Sequence, residues 1–294
     1  MIEQHIERRQ RLTGIALMCG AVACFACLDS SAKFLSRDMS VIQVVWARYA
    51  GAFVLAFVLS NPFNHPGLVE SRRPFLQIGR SLALLVSSFL NFLALRYLQL
   101  DQALAITFSA PFLVALLAGP VLDEWVGLRR WVAIGVGFLG VLVVTRPGFG
   151  SIHPAALLSL AAAFTLAFYN VATRLLARSD SSGTTLFYSN FVGFIATTPL
   201  LPLVWTPPRG AVDVLLMIAV GAFGAFGHYL LIVAHRLAPA SLLSPFMYTQ
   251  LLWAGTLGYL MFDDVPSRWT LAGAGIVVGS GLYLLHRERI RSGG

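Results

Sequence analysis

Long apolar segments separated by short polar turns run through the whole sequence. Each has about 20 residues, the length that lets a helix cross a hydrocarbon core of about 30 Å. Only 12% of the 294 residues are charged and 57% are hydrophobic, whereas an ordinary soluble domain carries roughly 25% charged residues. Because such a chain cannot cover itself with polar surface, the sequence predicts an all-α polytopic membrane protein.

Proline, glycine and charged residues mark where the predicted membrane spans begin and end. The sequence predicts ten transmembrane helices, at 12–36, 40–60, 74–96, 101–122, 130–146, 154–177, 184–205, 211–235, 239–262 and 268–286. The loops are short, the longest covering 61–73, so no soluble domain is expected. The first apolar run is predicted to be retained as a span rather than cleaved as a signal peptide.

Arginines in the loops predict the orientation, because cytoplasmic loops carry an excess of basic residues. With the N-terminus inside, the cytoplasmic side holds Arg8, Arg9, Arg11, Arg72, Arg73, Arg129, Arg130, Arg174, Arg178, Arg236, Arg287, Arg289 and Arg291. The other side holds Arg37, Arg96, Arg146, Arg209 and Arg268. The sequence therefore predicts a multi-pass protein of the cell inner membrane with both termini cytoplasmic. No nucleic-acid-binding motif accompanies the net charge of +8, so no nucleic-acid partner is expected.

The two halves of the chain repeat one another at an offset of about 140 residues. "DSSAK" at 29–33 aligns with "NVATR" at 170–174, and "RRWVAIGVG" at 129–137 aligns with "SRWTLAGAG" at 267–275. "LDE" before the first arginine-tryptophan block matches "FDD" before the second. The repeats are assigned to 1–147 and 148–294. Since each holds five spans, an odd number, they must be inverted relative to one another, which is typical of alternating-access transporters with a midplane site.

An acid and a base lie inside the first predicted span. Asp29 and Lys33 are four residues apart, so they share one helix face. At 1.5 Å per residue, Asp29 lies about 10 Å and Arg48 about 12 Å below the same surface. Unpaired charge in a span is costly, so the sequence predicts an Asp29–Arg48 ion pair, with Lys33 reaching the surface.

The repeat places two amides where the first half has charges. Asn170 corresponds to Asp29, and Asn190 falls close to the position of Arg48. Both are about 9–10 Å from the inner face. The hypothesis is a charged outer gate and a neutral inner gate; the alternative is that both pairs are structural pins.

The third predicted helix carries two further polar residues. Arg80 either extends to the cytoplasmic surface or meets an anionic group of a substrate, and the deeper Asn91 needs a partner. Pro111 and Pro245 fall inside the fourth and ninth predicted spans, where each either bends a cavity wall or makes a static kink. The candidate residues beside these prolines are Ser109, Tyr248 and Gln250.

Amphipathic aromatic residues are frequent in the second half. Tyr169, His228, Tyr248 and Trp253 do not all fall at the membrane interface, so an aromatic-lined cavity is predicted. His228 is either a hydrogen-bonded packing residue or a proton carrier. Small residues in the fifth and tenth spans indicate scaffold contacts or a homodimer interface.

The sequence lacks the motifs of an ATP-driven motor and of a metalloprotease, and its cysteines do not indicate a metal site. Cys19, Cys24 and Cys27 all lie in the first span and are interpreted as packing residues, so neither a metal nor a cofactor is expected. The sequence contains no GxxxxGK[ST] for an ATP-driven motor and no HExxH. The chain is therefore not expected to be an enzyme. A membrane sensor or assembly protein is the alternative from another class, although the loops are too short for a docking domain.

Taken in order, "FACLDSSAKFLS", "VIQVVWARYAG" and the "AP…LDE…RRWVAIGVGFLGVLVV" block resemble the EamA group of the drug/metabolite transporter superfamily over nearly the whole chain. The resemblance implies a secondary transporter with a central cavity between two five-helix halves. The residues favour a small zwitterionic or anionic, partly planar solute such as an amino acid. The family resemblance adds three alternative solutes: riboflavin, S-adenosylmethionine and amphipathic amines. The coupling partner is expected to be either a proton or an exchanged solute.

Overall fold

The computed structural model describes residues 2–59, 66–98, 103, 106–107, 109–145, 154–263, 268–269, 271–273, 275–276, 279–280 and 283. Within these ranges every regular element is helical. The described residues form nine long helices: α1 (Ile2–Leu35), α2 (Val41–Leu59), α3 (Pro74–Leu95), α4 (Ala110–Leu122), α5 (Leu128–Thr145), α6 (Ala156–Leu176), α7 (Ser182–Thr197), α8 (Ala211–Leu237) and α9 (Gln250–Phe262). Short 3₁₀ segments cover Pro66–Leu68, Thr198–Leu203 and Ser244–Thr249, the last preceded by a four-residue helix, Ala240–Leu243.

Six of these helices are long and apolar enough to cross a membrane: Arg8–Leu35, Val41–Val58, Pro74–Leu95, Ala156–Leu176, Ser182–Leu203 and Ala211–Leu237. The chain is therefore a polytopic, all-helical membrane protein, as the composition predicts. α4 and α5 contain the shorter apolar stretches Phe112–Leu122 and Trp131–Gly140. Nine of the 19 residues of the tenth predicted span, and five of the nine residues 101–109, lie outside the described residues.

Pro111 and Pro245, in the fourth and ninth predicted spans, each lie at the start of an element. Pro111 is in the first turn of α4, where the missing N–H costs no intrahelical hydrogen bond. Pro111 therefore lies within a helix as predicted, but in the first turn rather than in the interior. Pro245 is in the 3₁₀ segment that separates Ala240–Leu243 from α9, so the ninth span is interrupted there.

α4 and α9 end in the same way. Each has 13 residues and is followed by an aspartate in the left-handed conformation, Asp123 with φ 60° and Asp263 with φ 57°. Aspartate is among the few residues other than glycine that tolerate this region. Each cap N–H returns to carbonyls of the last turn, which satisfies orphan acceptors of the helix end.

The helices of the two halves of the chain interleave. α8 packs most extensively against α1 and α2, and α3 packs most extensively against α6 and α7. The third helix of each half thus fills the space between the first two helices of the other half. The main hydrophobic core follows this arrangement, because most of its buried members come from α1, α2 and α8 and from residues 242–247, with further members on α3, α5 and α6.

Glycines set the closest helix approaches. At the α2–α8 crossing, a Cβ on Gly221 would lie 2.6 Å from the Gly51 Cα. A Cβ on Gly193 of α7 would lie 2.3 Å from the Tyr49 ring. On α5, a Cβ on Gly137 would lie 2.7 Å from the Tyr248 ring. These glycines therefore serve packing within the chain.

Candidate functional site

A cavity of about 90 Å³ lies among helices of both halves. Its walls come from α1, α2 and α3 of the first half and from α6, α8 and the start of α9 in the second. The lining residues are Phe25, Leu28, Asp29, Arg48, Leu84, Ser87, Ser88, Asn91, Phe92, Thr107, Leu166, His228, Met247 and Gln250. We call this cavity the central pocket.

The two charged residues that line the central pocket have separate partners. The Asp29 carboxylate accepts a hydrogen bond from Gln250 Nε2 at 2.9 Å. Arg48, which is 6% exposed, donates to the Ser88 hydroxyl. The direct Asp29–Arg48 ion pair predicted from depth is therefore wrong: the ion pairs found among the described residues do not include it. The two side chains do not pair directly because α8 packs between α1 and α2.

A chain of hydrogen bonds leads from the central pocket toward the other buried arginine. Arg48 Nη2 contacts His228 Nε2, and His228 Nδ1 lies 2.8 Å from the Tyr169 hydroxyl. That hydroxyl accepts a hydrogen bond from Arg80 Nη2 at 2.9 Å. Two neutral side chains therefore connect the guanidinium groups of α2 and α3.

Arg80 is fully buried, which excludes the interpretation that it extends to the cytoplasmic surface. Its Nε donates to the Thr173 hydroxyl at 2.6 Å, and its Nη1 donates to the Ser189 hydroxyl at 2.8 Å and to the Thr185 carbonyl at 3.2 Å. The guanidinium also lies 4.4 Å from the centre of the Tyr169 ring. Arg80 thus ties α3 to α6 and α7 through neutral acceptors.

We call the end of the bundle that carries Arg72, Arg174, Arg178 and Arg236 the basic end. Glu124, which follows α4, accepts from Arg174 Nε at 2.8 Å and from the Ala240 N–H at 3.0 Å. Arg178 Nη2 lies 3.8 Å from the same carboxylate. These contacts join α4, α6 and the segment that precedes α9.

Asp180, between α6 and α7, is a second tie at the basic end. Its carboxylate accepts from the Ser71 hydroxyl, from the Arg72 N–H at 3.1 Å and from Gln77 Nε2 at 2.9 Å, and its carbonyl accepts from Arg236. Burial alone would raise the pKa of Asp180, but these side-chain and backbone donors favour the ionised form and hold its pKa below the ordinary value.

Fewer ties are found at the opposite end among the described residues. Asp38 pairs with Arg209 Nη1 at 2.7 Å, with both side chains largely exposed. The Gln43 amide exchanges two hydrogen bonds of 2.7 Å with the Thr206 backbone. The Lys33 ammonium lies 4.8 Å from the centre of the Phe262 ring, consistent with the prediction that Lys33 reaches toward this surface.

The two predicted inner-gate amides are buried but do not bond to one another. Asn170 Nδ2 donates to the Leu166 carbonyl at 2.8 Å. Asn170 Oδ1 and Asn190 Nδ2 are both buried without a hydrogen-bond partner in the described part of the chain. In this conformation the direct amide clasp is therefore absent between the two described residues, because α3 lies between α6 and α7.

The remaining sequence candidates divide between the interior and the lipid-facing surface. Asn91 lines the central pocket, whereas Tyr248 is buried beside α5. Ser109 lies at the N-terminus of α4 and does not line the pocket. Trp253 is 46% exposed on α9, so its predicted place in a cavity wall is wrong for this structure.

Sequence reasoning missed several wall residues. Ser87, Ser88 and Phe92 of α3 line the pocket beside Asn91, and Phe25 packs its ring 4.6 Å from that of His228. The signal was present on α3, where polar residues recur at helical spacing on one face: Gln77, Arg80, Ser81, Ser87, Ser88 and Asn91. Groups of three or more potential metal ligands do not occur among the residues that the structure describes.

Comparisons with known proteins also indicate a membrane transporter. The sequence matches the EamA-like transporter family twice, over 12–146 and over 153–285. One crystal structure superposes with a TM-score of 0.76 at 16% identity, covering 94% of this chain and 98% of that one. That likeness concerns the fold alone.

Relatives of known name are similar over nearly their full length. An S-adenosylmethionine uptake transporter of Rickettsia felis is 26% identical over 95% of this chain and 94% of the relative. A riboflavin transporter of Vibrio cholerae is 27% identical over 96% of this chain and 95% of the relative. These are names of transporters, not of enzymes. On the two family matches, the chain belongs to the EamA-like transporter family.

Proposed function

We propose that this protein is a secondary transporter that carries a zwitterionic solute with a planar ring, of the S-adenosylmethionine type, by alternating access. The central pocket carries this proposal, because it places one anionic and one cationic side chain, together with aromatic walls, inside a membrane protein. Ionisable residues within membrane spans mark substrate or ion pathways by default.

The charges of the central pocket complement those of such a solute. Arg48 offers guanidinium donors suited to a carboxylate, and Asp29 with Gln250 offers acceptors for a cationic group. Phe25 and Phe92 provide faces against which a planar ring can pack. Asp29 and Arg48 hold neutral partners in this conformation, so both charges are available to a ligand.

Names of the relatives narrow the class of solute. They do not favour the amino acid expected first from the sequence; they favour the vitamin-like or nucleotide-like alternative. Riboflavin is the second candidate, because riboflavin transporters are among the similar proteins. We rank it below S-adenosylmethionine since uncharged riboflavin would leave Asp29 and Arg48 unpaired in the pocket.

Alternating access is supported by the arrangement of the two halves. Two successive family matches, the interleaved packing of α3 and α8, and the matching caps at Asp123 and Asp263 support two five-helix repeats. We propose that these repeats are inverted, that the chain crosses the inner membrane ten times, and that both termini are cytoplasmic. The basic end would then be the cytoplasmic end.

The size of the central pocket implies movement. Its volume of about 90 Å³ is well below the 300–1,000 Å³ typical of sites for drug-sized ligands. The walls must separate to admit a solute with a fused ring. We assign closure of the basic end to the Arg80, Asp180 and Glu124 contacts. We include Asn170 and Asn190 on the path that would open, because each keeps one buried amide atom without a hydrogen-bond partner in the described part of the chain.

Uptake into proteoliposomes tests the proposal. Purified protein should take up labelled S-adenosylmethionine, and Asp29→Asn and Arg48→Gln should each lower the initial rate at least about tenfold, since each charge contact is worth roughly 1.5–3 kcal/mol. Asp38→Asn, which alters an exposed acid far from the pocket, is the control and should transport normally.

Riboflavin and a panel of amino acids serve as competing solutes in the same assay. Uptake of riboflavin but not of S-adenosylmethionine would make riboflavin the transported solute in place of S-adenosylmethionine. If neither solute is transported and neither raises the thermal stability of the protein, the proposed function is wrong.

A further inference from the structure

The position of His228 in the hydrogen-bond chain dictates its protonation state. Arginine has donors only, so the Nε2 atom that contacts Arg48 must be the acceptor. The proton of neutral His228 is then on Nδ1 and is donated to the Tyr169 oxygen at 2.8 Å. A second proton cannot be added at Nε2 while Arg48 stays in contact, because two donors would face each other.

Among the described residues that surround His228, Arg48 is the charged group whose movement would allow a second proton to bind. The titratable and charged groups around His228 are Cys24 and Asp29 on α1, Arg48 and Tyr49 on α2, Arg80 on α3, Tyr169 on α6, and Tyr229 and His235 on α8 itself. The titratable residue of α7, Tyr188, donates to the Val69 carbonyl instead. Arg80 is held by four acceptors, whereas Arg48 lines the pocket and is held by the Ser88 hydroxyl and by His228.

We propose that His228 is a proton-binding site that couples proton movement to the solute, with Arg48 as the switch. This inference rests on the proposed function and adds the coupling ion to it. A solute carboxylate draws Arg48 into the pocket, which frees His228 Nε2. Nε2 then takes one proton that enters from the aqueous phase on the same side as the solute, and the imidazolium is stabilised by the carboxylate that Arg48 has engaged.

The proton balance predicts symport. One carboxylate and one proton enter the pocket together, so each carboxylate-bearing solute carries one proton across. When the solute leaves, Arg48 returns to Nε2 and expels the proton on the same side. With one proton per solute and the membrane potential clamped at zero, a gradient of two pH units can sustain about a 100-fold solute gradient.

His228→Gln is the decisive variant for transport. The glutamine oxygen can accept from Arg48 and its amide can donate to Tyr169, but the side chain cannot hold an added proton. An inward proton gradient should stimulate S-adenosylmethionine uptake at least about fivefold in the wild type and by less than about 1.5-fold in His228→Gln. His235→Gln, on the same helix, is the matched control and should keep the stimulation. Equal stimulation of wild type and His228→Gln would overturn the proposal.

Nitrogen NMR of isotope-labelled histidines tests the switch without transport. His228, assigned by the loss of its signal in His228→Gln, should be the neutral Nδ1–H tautomer from about pH 5 to 8 in the full-length wild type. Arg48→Met should allow it to become protonated in that range, with Arg48→Ala as the second variant. An Nε2–H tautomer in the wild type would overturn the proposal even if neither variant folds. If the wild type fails to transport any probe, the proposed function fails, and these spectra still decide the histidine assignment.

Discussion

Gly221 on α8 and Gly51 on α2 bring two helices from different halves of the chain into backbone contact. A Cβ at position 221 would lie 2.6 Å from the Gly51 Cα, 2.9 Å from the Gly51 carbonyl carbon and 3.1 Å from the Ala52 nitrogen. All three are backbone atoms, which cannot rotate away. Gly221→Ala must therefore separate α2 from α8.

The cost can be set against a matched substitution. Overpacking of this kind costs typically 1–3 kcal/mol, while alanine gains about 1 kcal/mol over glycine through helix propensity. Gly135→Ala on α5 has the same propensity gain and no atom within 4 Å of the added Cβ. Because the propensity gain is common to both variants and cancels, their free energies of unfolding should differ by the overpacking cost of about 1–3 kcal/mol, with Gly135→Ala at or above the wild type.

Thermal unfolding in detergent measures this difference. At about 2–4 °C per kcal/mol, Gly221→Ala should melt roughly 2–12 °C below Gly135→Ala. Arg48 is one turn before Gly51, and a Cβ on Gly224 would lie 3.3 Å from the Arg48 Cγ. The same variant should therefore also weaken the Arg48–His228 contact and slow transport. Equal melting temperatures would refute the close crossing of α2 and α8.

Three further predictions concern the two ends of the bundle. Glu124→Gln should lower the free energy of unfolding by about 1.5–3 kcal/mol, because it removes a charged acceptor from the Arg174 contact; no change in denaturation would contradict this tie. Arg209→Gln should change it by less than about 1 kcal/mol, since its pair with Asp38 is largely exposed. Because the folded-state pKa of Asp180 is lowered, this residue stabilises the folded state above the ordinary carboxyl pKa of about 3.9, and the stabilisation is lost as pH falls through the folded value. The wild type should therefore lose more stability than Asp180→Asn below about pH 4. Parallel pH profiles of the two proteins would contradict the assignment.

The sequence predicted those features of the structure that depend on a single helix. Apolar length and proline or glycine punctuation located the described helices. The rise per residue predicted Asp29 and Arg48 at nearly equal depth, and both line the central pocket. Both properties follow from the local chain alone. The family resemblance was confirmed by the two family matches.

Lateral neighbours could not be predicted in the same way. The Asp29–Arg48 and Asn170–Asn190 pairs both assumed that consecutive helices pack directly. α8 and α3 occupy those positions instead. The partners of Arg48 and Arg80 come from residues about 40–180 positions away, and helical periodicity in one segment carries no information about such contacts.

The accessibility of two serines tests alternating access most directly. Ser87 lines the central pocket, and Ser189 is bonded to Arg80 near the basic end; both are buried and nearly isosteric with cysteine. Each is replaced by cysteine after Cys19, Cys24 and Cys27 are changed to serine, and membrane-impermeant thiol reagents are applied from either side.

Without solute, the cysteine at 189 should be protected from the basic side. Saturating S-adenosylmethionine should increase its labelling from that side and decrease labelling at 87 from the opposite side. Simultaneous labelling of both positions from the two sides, or labelling unchanged by a solute that the protein demonstrably transports, would contradict a pocket that opens to one side of the membrane at a time.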